Sequence, residues 1–415
     1  MEILNWILSL GASVMLPIII FFFGLIMGAG LSKSFRSGIL IGVGFTGINL
    51  VINLLTSELG PTAQQMTKNL GLELNIIDIG WPAMSSITWA WSAAGLSIPL
   101  VLAVNVLMLS FKLTKTMDVD IWNYWQFAFV GAAVTALTDS LTLGLIAVAL
   151  IAAVAFVLAD YTQPFVEKYF SLPGISFPHL TALGFLPIIL PLNWLLDKIP
   201  GINKLNANPE TIRKRFGIFG EPLIMGLIIG LGLGVLAAMP VNKILQIGVA
   251  MAAVMYLMPK MVAILMEGLI PISEAAREFL NKKFGERKIF IGLDAAISLG
   301  EPSVIAVGLL LVPITILLAF ILPGNNILPF ADLAVIPFIV CLIVALSRGN
   351  IVRSLIIGTI VMALVLLFAT NLSPAETQMA INAGIKMPEG AAQIGNLDRA
   401  NFISWLFVKV FSWFS

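Results

Sequence analysis

Long apolar runs follow one another along almost the whole chain, separated by short polar stretches. The runs are continuous rather than alternating, and most have about 20 residues, the length that crosses a hydrocarbon core as an α-helix. The pattern predicts ten spanning helices, over residues 12–31, 37–56, 92–111, 122–139, 141–159, 218–238, 244–266, 304–322, 330–347 and 351–370. Two further apolar stretches, 181–196 and 400–415, predict a broken half-span and the start of a last helix.

The same order of features occurs twice along the chain. Two spans lead to a polar stretch, then to a short segment broken by glycine and proline (78–92, and again 292–304), and then to three more spans. Five spans per half is an odd number, so the two halves would cross the membrane in opposite orientations. We therefore predict an all-α polytopic membrane protein with ten to eleven helices, built from inverted five-helix repeats that each contain a re-entrant hairpin. The alternative is that these glycines and prolines only end helices.

The repeats divide the chain into five parts. We predict an interfacial helix over 1–11, the first repeat over 12–160 and a connecting re-entrant and cytoplasmic segment over 161–217. The second repeat follows over 218–370, and an external segment with the start of a C-terminal helix over 371–415.

Basic residues predict the orientation, because cytoplasmic loops carry an excess of lysine and arginine. They concentrate in segments 198–215 and 271–288, which we place in the cytoplasm. Segments 57–77 and 371–398 each contain a single lysine, and we place them outside. These assignments agree with one another if the N-terminus is external.

Composition supports a membrane location and excludes several functions. Hydrophobic residues make up 59% of the chain and charged residues 11%, whereas a soluble domain has roughly 25% charged residues. The net charge of +1 suggests no nucleic-acid partner. Cys341 is the only cysteine and His179 the only histidine, so a disulfide framework and a metal site with several such ligands are excluded. We predict no cofactor and no catalytic residue.

Carboxylates in apolar surroundings are the first candidates for a binding site. Asp294 lies in the second broken segment and Glu301 follows it closely. A carboxylate accepts hydrogen bonds from adjacent hydroxyl groups, which suits a sugar or polyol. The alternatives are that Asp294 caps a helix, and that Glu301 pairs with a basic residue at the hairpin tip.

The first broken segment offers an aromatic ring and hydroxyl groups. Trp81, Ser85 and Ser86 gather there, and an indole stacked on a sugar with hydroxyls nearby is typical of carbohydrate recognition. The alternative is an interfacial aromatic residue beside hydroxyls that bond to their own helix.

Three further residues complete the predicted site. His179 follows a proline and precedes the broken stretch 181–196, so we assign it a role in substrate binding or gating. Gln126 is a potential hydrogen-bonding partner. Thr46 stands in a glycine-rich stretch that could approach a ligand closely.

Several separated motifs, in order, resemble a known family. They are FGEPLIMG at 219–226, the GLD and LG elements of 292–300, VPITILLAFILPGNNILPFADLA at 312–334, DIGWP at 78–82, VDIWNYW at 119–125 and the PH pair at 178–179. Together they resemble the galactitol family of phosphotransferase-system membrane subunits, enzyme IIC, over about residues 9–400. A more distant likeness is to the ascorbate-type subunits.

The resemblance implies a sugar- or polyol-translocating subunit in the bacterial cytoplasmic (inner) membrane. Subunit IIA would pass a phosphoryl group to subunit IIB, and IIB would phosphorylate the substrate, so the phosphoacceptor residues lie on other subunits. The ascorbate relatives imply a homodimer with an elevator-type scaffold and core, and place the substrate near His179, Asp294, Thr46 and Gln126. The chain departs from the galactitol pattern at Glu301 and Pro302, where that pattern has a histidine, so galactose or another polyol stays open as the substrate.

A second function class remains possible from the residues alone. An ion-coupled secondary transporter of similar architecture would use Asp294 and Glu301 as proton or sodium sites. It would need only an ion gradient, whereas the phosphotransferase subunit needs phosphoenolpyruvate and its soluble partners.

Overall fold

Helices account for most of the part of the chain that the structure describes. This computed structural model describes residues 12–69, 71, 75–202, 207, 221–284, 289–329, 331–384 and 392–414. Its α-helices are α1 (Ala12–Ile26), α2 (Leu31–Asn69), α3 (Gly80–Trp89), α4 (Ala94–Ser110), α5 (Trp125–Thr138), α6 (Leu141–Phe170), α7 (Leu180–Leu183), α8 (Leu186–Lys198), α9 (Pro222–Leu236), α10 (Val241–Phe284), α11 (Pro302–Ile321), α12 (Ile336–Leu346), α13 (Ile351–Asn382) and α14 (Phe402–Phe411).

Every predicted span contains a helix, but four of the helices continue beyond the apolar run. Helix α2 continues to Asn69, α6 to Phe170, α10 to Phe284 and α13 to Asn382. The polar residues that follow these runs include many good helix formers, such as the Glu, Ala, Arg and Lys residues of 274–283. The end of an apolar run therefore marks where a helix leaves apolar surroundings, and not where the helix stops.

Fewer helices are long enough to span a membrane than the sequence predicted. Among the described residues, five helices are long and apolar enough, or six if α3 and α4 count as one broken span, because those two helices meet at a 92° bend. Several other predicted spans are shorter apolar helices, such as α5 and α12. By helix length, the described residues support five or six spans, and the prediction of ten to eleven transmembrane helices is confirmed only to that extent.

Six short strands, which the sequence analysis did not predict, form two parallel sheets. They are β1 (Ile76–Asp78), β2 (Thr116–Asp118), β3 (Ile175–Ser176), β4 (Phe290–Gly292), β5 (Ile327–Leu328) and β6 (Gln393–Gly395). One sheet, which we call sheet A, has the order β5-β1-β6, and the other, sheet B, has the order β2-β4-β3. Non-helical backbone inside a membrane protein must be buried in protein, and both central strands are largely buried.

The two sheets are built to the same plan. In sheet A the central strand comes from the first half of the chain and both outer strands from the second half. In sheet B the central strand comes from the second half and the outer strands from the first. The order of helices and strands also runs in parallel through both halves, starting with the 15-residue helices α1 and α9.

Helices α1, α2, α9 and α10 pack against one another, and we call them the four-helix group. The other helices surround the two sheets. The four-helix group meets them partly through short 3₁₀ segments, which include 121–124, 295–300 and 333–335. The predicted interfacial helix 1–11 lies outside the described residues. So does most of the predicted cytoplasmic segment 198–215, together with residues 285–288.

Candidate binding site at the end of sheet B

The candidate site begins where the three strands of sheet B end. Gly292, the last residue of the central strand, lies beside Asp118 and Ser176 of its two neighbours. A Cβ atom on Gly292 would stand 2.8 Å from Cγ of Pro178 and 2.9 Å from Cα of Asp118. Only glycine allows this close approach, and the approach brings the segments that follow the three strands together.

Asp294 is both a helix cap and a member of a polar cluster. Its Oδ1 atom accepts a hydrogen bond from the backbone N–H of Ala296 at 2.8 Å, which caps the 3₁₀ segment 295–300. Its Oδ2 atom accepts a hydrogen bond from the side-chain amide of Asn123 at 2.9 Å. Nε2 of His179 lies 3.5 Å from Oδ1. The two interpretations of Asp294 offered by the sequence are therefore compatible.

Gln126 orients His179. Its Oε1 atom accepts a hydrogen bond from the backbone N–H of Leu180 at 2.8 Å, so its Nε2 group faces Nε2 of His179 at 2.7 Å. Because an amide NH₂ only donates, Nε2 of His179 accepts, and the proton of the neutral ring is then on Nδ1. Burial lowers the pKa of His179, although nearby Asp294 acts in the opposite direction. His179 lies in a connecting segment, outside the candidate spans. The hydrogen bond from Gln126 and the lowered pKa both favour the neutral ring.

Asp120 and Asn123 belong to the cluster although the sequence analysis did not select them. The side-chain amide of Asn123 donates to Oδ2 of Asp120 at 2.7 Å and to Oδ2 of Asp294 at 2.9 Å. Asp120 is 3% exposed, and its Oδ1 atom has no hydrogen-bond partner among the described residues. Burial and then the charge of Asp294 raise the pKa of Asp120 to about 8. The signal that could have identified Asp120 and Asn123 is that they are polar residues within the otherwise apolar VDIWNYW motif.

A small cavity lies on one side of this cluster. Asp120 and Asp294 are the polar residues of its lining. The remaining lining is apolar and comes from the four-helix group and from the segment that follows β4: Ile20, Ile41, Phe45, Leu269, Leu293 and Ile297. His179 and Gln126 stand behind the two carboxylates and do not line it. In the conformation shown, the cavity has room for about one water molecule, so a sugar could enter only if the four-helix group moved away from Asp294.

Two predicted site residues are placed elsewhere. Thr46 is exposed on α2, whereas its neighbour Phe45 lines the cavity. Glu301 caps α11, because its Oε1 atom accepts hydrogen bonds from the backbone N–H and the hydroxyl of Ser303, at 3.5 and 3.2 Å. In the described part of the chain, no hydrogen bond connects Thr46 or Glu301 with the Asp294 cluster.

The first broken segment lies at sheet A. The hydroxyls of Ser85 and Ser86 both donate to the backbone oxygen of Pro82 at 3.0 Å, so they bond to their own helix. The backbone N–H of Trp81 donates to Oδ1 of Asp332 at 2.7 Å. The two serines therefore fit the alternative in which their hydroxyls only bond to their own helix. The indole of Trp81 is half-buried.

A second buried polar cluster continues from the first. Asp332 accepts hydrogen bonds from the Asn396 side chain at 2.6 Å and from the Asp398 backbone at 3.1 Å. Thr181, two residues after His179, donates to Asp398 at 2.6 Å and accepts a hydrogen bond from Arg399. Arg399 is fully buried, pairs with Asp398 at 2.9 Å and stacks on the ring of Trp125 at 4.7 Å. The two sheet ends are thus connected through side chains.

Within the described ranges, no group of three or more His, Cys, Asp or Glu side chains is arranged to hold a metal ion. The polar groups of the first cluster can accept and donate hydrogen bonds, and they include no activated nucleophile. Their chemistry suits recognition of a small hydroxylated solute.

Several membrane-length helices around a small buried polar site define a multi-pass membrane protein of the transport class. The chain belongs to the family of PTS system sugar-specific permease components, whose model matches residues 6–390, and this confirms the family predicted from the motifs. It is 41% identical to the PTS system galactitol-specific EIIC component of Escherichia coli (strain K12), over 99% of this chain and 91% of that protein. The Escherichia coli O157:H7 protein of the same name matches equally well. A putative permease IIC component of strain K12 is 40% identical, over 98% of this chain and 93% of that protein.

Proposed function

We propose that this chain is the translocating IIC subunit for galactitol, or for a galactose-like sugar or polyol, in the bacterial cytoplasmic membrane. The observation that carries the proposal is that Asp294 lines a buried cavity together with Asp120, while His179 and Gln126 stand behind it. A polyol that leaves water needs partners for its hydroxyls, since each unsatisfied group costs about 1–3 kcal/mol. The galactitol-specific relatives support the choice of substrate.

In this proposal the substrate is carried inwards by alternating access and is phosphorylated by subunit IIB, which subunit IIA recharges. The cavity supports an elevator-type movement, because it lies between the four-helix group and the hairpin that holds Asp294. A movement between these two parts would carry Asp294 with the substrate. The parallel order of elements in the two halves supports inverted repeats, and the homodimer stays a prediction from the ascorbate-type resemblance.

Uptake into vesicles that contain the purified protein tests this function. Labelled galactitol should accumulate as its phosphate only when phosphoenolpyruvate and the soluble phosphotransferase proteins, with IIA and IIB, are on the cytoplasmic side. Accumulation of unmodified galactitol on a proton or sodium gradient alone would contradict the proposal. That result would favour the ion-coupled transporter, for which the Asp120–Asp294 pair would be a reasonable proton site.

A further inference from the structure

Two residues with carboxyl groups, Asp120 and Asp294, belong to the lining of the cavity, and one amide holds both of them. Asn123 donates to Oδ2 of Asp120 and to Oδ2 of Asp294. The other oxygen of Asp294 caps the 3₁₀ segment, whereas Oδ1 of Asp120 is buried and has no partner in the part of the chain that the structure describes. A buried polar atom without a partner is costly, so an unpaired oxygen on a residue that lines the cavity marks a place for a ligand group.

We propose that Asp120 and Asp294 form a two-carboxyl clamp that holds neighbouring hydroxyl groups of a neutral polyol, with Asn123 fixing their separation. This inference rests on the proposed function, because it names the contact that the site would make with its substrate. His179 and Gln126 do not line the cavity. They are then positioning residues, since Nε2 of His179 lies 3.5 Å from Oδ1 of Asp294 and Gln126 orients the His179 ring.

The chemistry of the pair fits a polyol. A hydroxyl group donates one hydrogen bond and accepts others, so a site with one acceptor and one donor satisfies two adjacent hydroxyls. Asp294 can accept from one hydroxyl. Asp120, when it carries a proton, can donate to the next. A ligand that brings its own carboxylate would meet like charge in an apolar cavity, so the clamp selects against sugar acids.

Binding of galactitol and each of its monodeoxy forms to purified protein tests the clamp. Asp120→Ala should weaken galactitol binding roughly three- to tenfold, the range for a hydrogen bond between neutral groups. Removing the hydroxyl that Asp120 contacts should cost wild-type protein a similar factor. For that one deoxy form, Asp120→Ala should cost little more, because the two changes remove the same contact.

A matched control is Asp160→Ala. Asp160 accepts hydrogen bonds from Thr114, Lys115 and Thr116, away from the cavity lining, so its replacement should leave affinity unchanged. Asp120→Val is a second variant in case alanine disturbs folding, and size-exclusion chromatography shows which variants are folded.

The outcomes separate the clamp from the proposed function. If folded Asp120→Ala binds galactitol as wild type does, or loses the same factor for every deoxy form, the clamp is wrong even though Asp294→Asn still weakens binding. If wild-type protein binds no galactitol or related sugar, the proposed substrate itself is wrong. Galactonate should not compete with galactitol for the wild-type protein, and effective competition would contradict selection against sugar acids.

Discussion

Nε2 of Gln126 lies 2.7 Å from Nε2 of His179, and this contact decides which nitrogen of the ring carries the proton. The backbone N–H of Leu180 fixes the Gln126 amide, so the amide cannot reverse without losing that hydrogen bond. This arrangement favours the neutral imidazole that carries its proton on Nδ1.

His179 is the only histidine in the chain, so its state can be measured without assignment of other histidines. Nitrogen chemical shifts of protein labelled at histidine should show the Nδ1–H tautomer at pH 7. Gln126→Glu should raise the pKa of the ring, because a carboxylate in that place favours the charged imidazole. An unchanged titration in the folded variant would mean that Gln126 does not determine the state of His179.

Asp294→Asn should weaken galactitol binding by roughly 1–3 kcal/mol, since it removes a charged hydrogen-bond acceptor at the cavity wall. Asparagine is also a good N-cap, so the 3₁₀ segment 295–300 should keep its cap and the protein its stability. Titration calorimetry measures the affinity and thermal denaturation checks the fold. Unchanged affinity in a stable variant would leave Asp294 as a cap only, and the site would then be sought near Trp81 and Ser85.

Gly292→Ala tests whether the close approach of the strands positions the site. The added methyl group would press on Pro178 and on the backbone of Asp118, and such overpacking costs typically 1–3 kcal/mol. Because it moves His179 and Asp294 relative to each other, galactitol binding should fall as well. The matched control is Gly232→Ala in α9, where the new Cβ meets nothing within 4 Å. Equal behaviour of the two variants would contradict this role of Gly292.

Arg399→Met should destabilise the protein by roughly 3–5 kcal/mol, because it leaves Asp398 charged, buried and without its ion-pair partner. Adding Asp398→Asn should restore part of the loss, since the unpaired charge is then removed. The apparent Tm in detergent measures both effects. If the double variant is as unstable as the sum of the two single variants, the ion pair with Asp398 is not the reason why Arg399 stabilises the protein.

Labelling of single cysteines tests the predicted inversion of the two halves. Ser57 in α2 and Glu278 in α10 are exposed positions on the long helices that correspond in the two halves. In a background of Cys341→Ala, Ser57→Cys should react from outside and Glu278→Cys from the cytoplasm. Labelling of both from the same side would show that the repeats are not inverted.

The sequence was informative where a polar residue stands in an apolar run. Asp294 was selected on that ground, His179 for its place before a broken apolar stretch and Gln126 as a hydrogen-bonding partner, and the structure places the three in one cluster. Asp120 was missed because it lies in a motif that served only for the resemblance. Thr46 was selected for the glycines around it, but the helix turns its side chain away from the cavity that Phe45 lines.

The strands and the second cluster could not be predicted from local patterns. A strand of three residues, such as Ile76–Asp78, is too short to show alternation between polar and apolar positions. Its pairing partners Ile327 and Gln393 are remote in sequence. Arg399 lies in a part of the chain that the sequence analysis interpreted as external and helical. A single charged residue in a sequence gives no sign of the ion pair, the threonine and the indole ring that surround it in the fold.

The exchange of strands between the halves has a consequence for how the protein is made. During synthesis β2 and β3 leave the ribosome long before β4, so the place between them must stay open until the second half has been inserted. Sheet A waits longer still, because β6 is nearly the last element of the chain. The unpaired edges of a nascent first half would be exposed to wrong partners throughout that interval. Two separately expressed halves should therefore assemble only when they enter the same membrane together.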